Sequence, residues 1–454
     1  MTDASAGPSQ IPPVHRLLGD GQIAAYETKL GRRTVKAEVN SVLEAARRSA
    51  HGVPSFAALR DTIALRLAQR EYDAIVPVVN ATGVLLHTNL GRAPLAGRAL
   101  DAAREIGAGY SNLEFDLENG VRGTRYARAS GLLRELTGAQ DAIVVNNCAA
   151  AVFLIVDTFA KGGEVIVSRG ELVEVGGGFR IPDVLVRAGA TLIEVGSTNK
   201  TTLDDYRRAL TARTALLLRT HASNYRITGF THAVDAGELA QLAHASGVPA
   251  AEDLGSGALT DLAQYGLPHE RTVQEALASG MDLVAFSGDK MLGGPQAGII
   301  AGSRTLIGRL RNNPLVRALR AGKMTFALLA ETLRCYASAE SRAQIPFYTM
   351  LGATLEALRE RGARYVQAVP GVVLREVAAY AGGGTLPEAA IASVAVAPAL
   401  GSLSVSAAHR QLRLPRSGAP IVARIDQNVL LLDLRTVLPA QDAHVIAALR
   451  ALVS

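Results

Sequence analysis

Hydrophobic positions change their period as the chain proceeds. In AEVNSVLEAARRSA, Val39, Val42, Leu43 and Ala46 recur at helical spacing, and after the Pro54-Ser55 break so do Phe56, Leu59, Ile63 and Leu67. Residues three and four apart share one helix face, so 13–77 is predicted to be a helical N-terminal domain behind a flexible tail over 1–12. From residue 78 short apolar runs alternate with helix-length segments: AIVV (142–145), EVIV (164–167), TLIEV (191–195), ALLL (215–218), PAAE (249–252), LVAF (283–286) and AGIIA (297–301). Strands separated by helices predict an α/β core over 78–310 with a mostly parallel sheet. A helical stretch of connecting helices is expected over 311–363. Strand-like pieces return in 364–454 (VVLREV, ASVAVAP, PIVARI, NVLLLDL) before a last helix at 441–452, which reads as a small α+β domain.

Composition narrows the classes. The chain has 454 residues, 48% hydrophobic and 19% charged, enough apolar surface for several cores. Its net charge is +6, which permits an anionic partner without requiring one. Cys148 and Cys335 are the only cysteines, so neither a disulfide scaffold nor a cysteine-based zinc site is expected. The opening MTDASAGPSQ lacks the basic and apolar regions of a signal peptide. No apolar run reaches the roughly 18 residues of a membrane span. A cytoplasmic protein without a membrane or DNA partner is expected.

Four features look chemical. Lys290 lies in Phe286-Ser-Gly-Asp-Lys290-Met-Leu-Gly-Gly-Pro-Gln296, at a strand end among glycines, where a lysine could form a Schiff base with an aldehyde cofactor. The spacing excludes a phosphate-binding P-loop, but a surface lysine in a glycine-rich turn stays open. Asp253, in Ala251-Glu-Asp-Leu-Gly-Ser-Gly257, ends an apolar strand; it suits a protonated ring nitrogen, or caps a turn. Asn146-Asn-Cys-Ala-Ala-Ala151 follows AIVV, and its helix start offers free N–H groups to a phosphate, with Ser287 adding a hydroxyl. The alternative there is a tight packing turn. Arginines form the fourth feature: Arg92, Arg122 and Arg125, and the pair Arg317 and Arg320, whose i, i+3 spacing predicts one helix face. Planar guanidinium forks suit an oxyanion, though a solvated face with distant carboxylates would use the same residues. Gly176-Gly-Gly178 lacks the dinucleotide-binding form. Phosphate seat, carboxylate and lysine in that chain order suit a pyridoxal-phosphate enzyme of the aminotransferase-like class.

Longer stretches resemble a family, the bacterial selenocysteine synthases or L-seryl-tRNA(Sec) selenium transferases. They include Leu86-His-Thr-Asn-Leu-Gly-Arg92, Ile143-Val-Val-Asn-Asn147, Ser223-Asn-Tyr225, Asp253-Leu-Gly-Ser-Gly257, Phe286-Ser-Gly-Asp-Lys290 and Arg317-Ala-Leu-Arg320, and the start Ile11-Pro-Pro-Val-His-Arg-Leu-Leu18. The resemblance implies the aminotransferase-like fold (fold type I) and pyridoxal 5'-phosphate bonded to Lys290. It implies Asp253 on the ring nitrogen, Asp289 facing the site, and Asn147, Cys148, Ala149 and Ser287 around the cofactor. Arg92, Arg317 and Arg320 would receive selenophosphate. The N-terminal domain would bind seryl-tRNA(Sec), and the assembly would be a homodecamer, a pentamer of dimers. No metal is expected. The implied reaction removes the serine hydroxyl and adds selenium at the same carbon. Cys148 departs from the pattern, which has a third asparagine there. Two other readings are a pyridoxal-phosphate lyase of a small amino acid or amino sugar, and a non-catalytic tRNA-binding protein.

Overall fold

The structure, a computed structural model, describes residues 11–48, 54–72, 75–221, 224–382, 384, 386, 389–415 and 418–453. Most of the expected tail at 1–12 and Ser223 lie outside them. The chain divides into two compact units, Met1–Val78 and Val79–Ser454.

The first unit is helical. Its long helices, Arg32–Arg48 and Phe56–Tyr72, bury the residues that the spacing selected: Val39, Val42, Leu43, Ala46, Leu59, Ile63 and Leu67. Leu17 and Ile23, from short helices Val14–Leu18 and Gly21–Ala24, complete this core. Glu38 is buried at its edge, where Arg70 Nε donates to Oε2 at 2.7 Å and Arg66 to Oε1 at 3.3 Å. A buried carboxylate needs such partners.

The second unit is built on a seven-stranded sheet. In chain order its strands are β1 (Asp141–Val145), β2 (Glu164–Ser168), β3 (Thr191–Val195), β4 (Thr214–Thr220), β5 (Ala250–Gly255), β6 (Leu283–Ser287) and β7 (Gly298–Gly302). They lie in the order β1-β7-β6-β5-β4-β2-β3, with β7 antiparallel to both neighbours and the other pairings parallel. Helices cover the sheet, so β1, β6 and β7 are buried at every position, the continuous apolar runs of a sheet covered on both sides. Asp141 at the edge accepts two hydrogen bonds from Arg311, at 2.6 and 2.8 Å, tying helix Arg304–Asn312 to β1.

A six-stranded sheet follows the order Val79–Ala81, Ile421–Asp426, Val429–Asp433, Ala390–Pro398, Val372–Gly382, Val84–Leu86. Two short strands from the start of the unit thus join the C-terminal sheet, which a boundary at 364 alone does not capture. Their three-residue length hides any period. The helical stretch over 311–363 is broken into helices Val316–Leu319, Lys323–Arg334, Ala339–Arg342, Pro346–Gly352 and the start of Leu355–Ala368. The expected shared face for Arg317 and Arg320 is corrected here. The helix ends at Leu319, and Arg320 is extended (φ −68°, ψ 137°), bridging Val145 beside β1.

Candidate active site

Parallel strands end on one side, and loops leaving their carboxyl ends converge there. Asp253 closes β5. Ser287 closes β6 and leads through Gly288 and Asp289 to Lys290. Helix Cys148–Phe159 starts after β1, and His221 follows β4. Around a cavity of about 250 Å³ the structure gathers Arg92, Asn147, Cys148, Ala149, His221, Asp253, Ser287, Asp289 and Lys290.

Glycines make this convergence possible. Gly255 has φ +66°, and a Cβ there would sit 3.8 Å from Lys290 Nζ and 3.9 Å from Asp253 Oδ1, inside the space that both groups face. Gly257 has φ +71°, and its Cβ would meet the Ser287 carbonyl oxygen at 2.3 Å. Only a residue without a side chain lets the β5 turn pass β6 so closely.

Asn147 is the N-cap of helix Cys148–Phe159, and its side chain accepts from the Ala150 N–H at 2.8 Å. The first-turn N–H groups of Cys148 and Ala149 open beside the cavity, the arrangement that favours an anion. Cys148 Sγ lies 3.3 Å from Asp253 Oδ1. Burial pushes the Asp253 carboxyl up, opposed by the thiol hydrogen bond and the Lys290 charge. Burial, then the Asp253 charge, pushes the Cys148 thiol well up, so it stays a protonated donor. Lys290 is 9% exposed and enters no ion pair among the described residues.

Arg92 follows Gly91 in a left-handed turn, itself at φ +62°. The turn aims its guanidinium at Asp289, with Nη1 donating to Oδ2 at 2.9 Å. The other arginines are placed differently. Arg317 is exposed, and Arg320 lies 4.0 Å from Glu114; neither lines the cavity. Glu114 also takes Arg122 at 3.2 Å and Arg125, which donates to the Ala321 carbonyl at 2.8 Å. Those two arginines hold structure together around one carboxylate.

Sequence reasoning passed over His221. Among the described residues its buried Nδ1 has no hydrogen-bond partner, and Nε2 lies 3.5 Å from Glu270 Oε1. Burial, with Lys290, Arg219 and Arg271 nearby, pushes its pKa down to about 4, so the imidazole is neutral at pH 7. A signal was present: His221 directly follows the strand-like run ALLLRT, and β4 pairs with β5 so that Thr220 lies opposite Asp253. Beneath the site Glu171 accepts from the Thr220 N–H at 3.0 Å, and burial pushes it up to about 7.

Comparison with known proteins adds a separate line. A sequence model described as L-seryl-tRNA selenium transferase matches residues 78–438, and one described as selenocysteine synthase N terminal matches 8–47. An L-seryl-tRNA(Sec) selenium transferase from Carboxydothermus hydrogenoformans is 44% identical over 439 residues, 94% of each chain. That of Geobacter sulfurreducens is 43% identical over 460 residues, 98% of this chain and 99% of the relative. That of Solidesulfovibrio magneticus is 52% identical over 375 residues, covering 79% and 78%. Among solved structures, a D-glucosaminate-6-phosphate ammonia-lyase shares the fold at TM-score 0.60 and 22% identity, over 85% of this chain and 98% of the other.

Proposed function

Because this chain belongs to the L-seryl-tRNA selenium transferase family, we propose that it converts seryl-tRNA(Sec) to selenocysteinyl-tRNA(Sec), with pyridoxal 5'-phosphate as cofactor and selenophosphate as selenium donor. The observation that carries the reading is the convergence of Lys290, Asp253 and the start of helix Cys148–Phe159 on one cavity. The residues fit the cofactor. Gly255 leaves open the space between Lys290 Nζ and Asp253, and His221 Nδ1 is a buried polar atom there without a partner among the described residues. When bound, the cofactor supplies an electron sink for the pair left at the serine Cα.

The chain's own groups do the rest. Lys290 Nζ would hold the cofactor through its aldehyde and, when free, would take the proton from the serine Cα. Asp253 would face the cofactor's ring nitrogen and keep a proton on it. The N–H groups of Cys148 and Ala149, with the Ser287 hydroxyl, bind the phosphate. Arg92, oriented by Asp289, binds the anionic donor at the cavity; the part given to Arg317 and Arg320 needs them brought to it, since neither lines it. The Cβ–O bond would break with the hydroxyl leaving as water, a Cβ–Se bond would form as water cleaves the donor's Se–P bond and releases phosphate, and Lys290 would return the proton to Cα. The helical unit binds the tRNA, and the chain assembles as a homodecamer in the cytoplasm; no helix among the described residues is long and apolar enough to cross a membrane.

Lys290→Ala tests the assignment. Turnover falls by at least about a thousandfold, and the near-visible absorbance of lysine-bound cofactor disappears. Substantial turnover in this variant overturns it.

A further inference from the structure

Cys148 holds two ends of the site at once. Its backbone opens helix Cys148–Phe159, and its Sγ lies 3.3 Å from Asp253 Oδ1. Among the described residues it is the only side chain hydrogen-bonded to that carboxylate. We propose that Cys148 is a positioning residue for Asp253: its S–H donates to Oδ1 and fixes the carboxylate so that Oδ2 is presented to the cofactor's ring nitrogen. The inference rests on the cofactor reading above and goes beyond it, because it gives a role to the Cys148 side chain, which that reading uses only through its backbone N–H.

The physical case has three parts. Asp253 is half-buried, and burial pushes its carboxyl up, so its ionised form is costly unless hydrogen-bonded. Its surroundings supply few donors: the Gly255 N–H, the Lys290 charge and the thiol favour its ionised form, while the Glu252 charge opposes it. Removing the thiol therefore takes away the side-chain hydrogen bond that orients the carboxylate. A thiol is a weak donor. Its effect is accordingly modest, and it reaches the cofactor only through Asp253.

That last point separates positioning from mere packing. In the full-length protein, pyridoxal 5'-phosphate is titrated into wild type, Cys148→Ala, Cys148→Ser, Asp253→Asn and the Cys148→Ala/Asp253→Asn pair, followed by absorbance. Cys148→Ala raises the dissociation constant about three- to tenfold and changes the ratio of the cofactor's absorption bands. Cys148→Ser, which keeps a donor, restores both to within about twofold. In the Asp253→Asn background Cys148→Ala changes the constant by less than about twofold. Equal effects in both backgrounds, or wild-type constants and spectra in Cys148→Ala, overturn the proposal and leave the cofactor reading standing. If Asp253→Asn binds no cofactor, the spectra of Cys148→Ala and Cys148→Ser decide alone: a changed ratio restored by serine supports the proposal, and any other pattern overturns it. Failure of wild type to bind removes the cofactor reading, and this proposal with it.

Discussion

Asp253, Cys148, His221 and Glu171 show how one crowded strand edge sets the protonation of its members. Burial pushes both carboxyls up and the imidazole down, and local hydrogen bonds and charges trim each shift. Glu171 gives a measurable consequence. In the unfolded chain it ionises near the ordinary 4.5, in the folded chain near about 7. Between those values the unfolded chain has shed a proton that the folded chain keeps, so stability falls as pH rises through the window. Glu171→Gln escapes this loss, so relative to wild type it gains stability from pH 5 to pH 8, by up to about 3 kcal/mol. Denaturant midpoints at the two pH values check it; an equal offset at both contradicts the assignment. At this scale the sequence was legible where a residue type is rare in its setting. Lys290 stood out among few lysines and Asp253 at the end of an apolar run. His221 did not, because its importance depends on β4 lying next to β5, a pairing between distant segments.

At the scale of elements, strands buried on both faces announced themselves as apolar runs. Short ones did not: Val79–Ala81 and Val84–Leu86 reach the C-terminal sheet only through tertiary pairing. Arg317 and Arg320 illustrate the limit of spacing, since i, i+3 puts two residues on one face only while the helix continues, and this one stops at Leu319. Asn147 lies at a boundary that the sequence did mark, a polar residue between AIVV and a run of small residues. Its cap on the Ala150 N–H satisfies one of the helix's orphan donors. Asn147→Ala lowers stability by about 1 kcal/mol and Asn147→Asp far less, read from denaturant midpoints. A stable alanine variant contradicts the cap.

For the whole molecule, division into two units separates two tasks in the proposed function. The helical unit has its own core, and the cavity is built wholly from residues of Val79–Ser454. Deleting residues 1–72 is therefore expected to remove most affinity for tRNA while cofactor stays bound. Phosphate contacts release counterions, so affinity of the intact protein falls steeply with salt. Unchanged tRNA binding by the truncated protein contradicts the role given to the helical unit. The central claim is the reaction itself. Its most direct test is the incubation of purified, cofactor-loaded protein with seryl-tRNA(Sec), with and without selenophosphate, followed by analysis of the esterified amino acid. The account predicts selenocysteinyl-tRNA(Sec) only when selenophosphate is present; seryl-tRNA(Sec) left unchanged by a protein that binds its cofactor normally would contradict it.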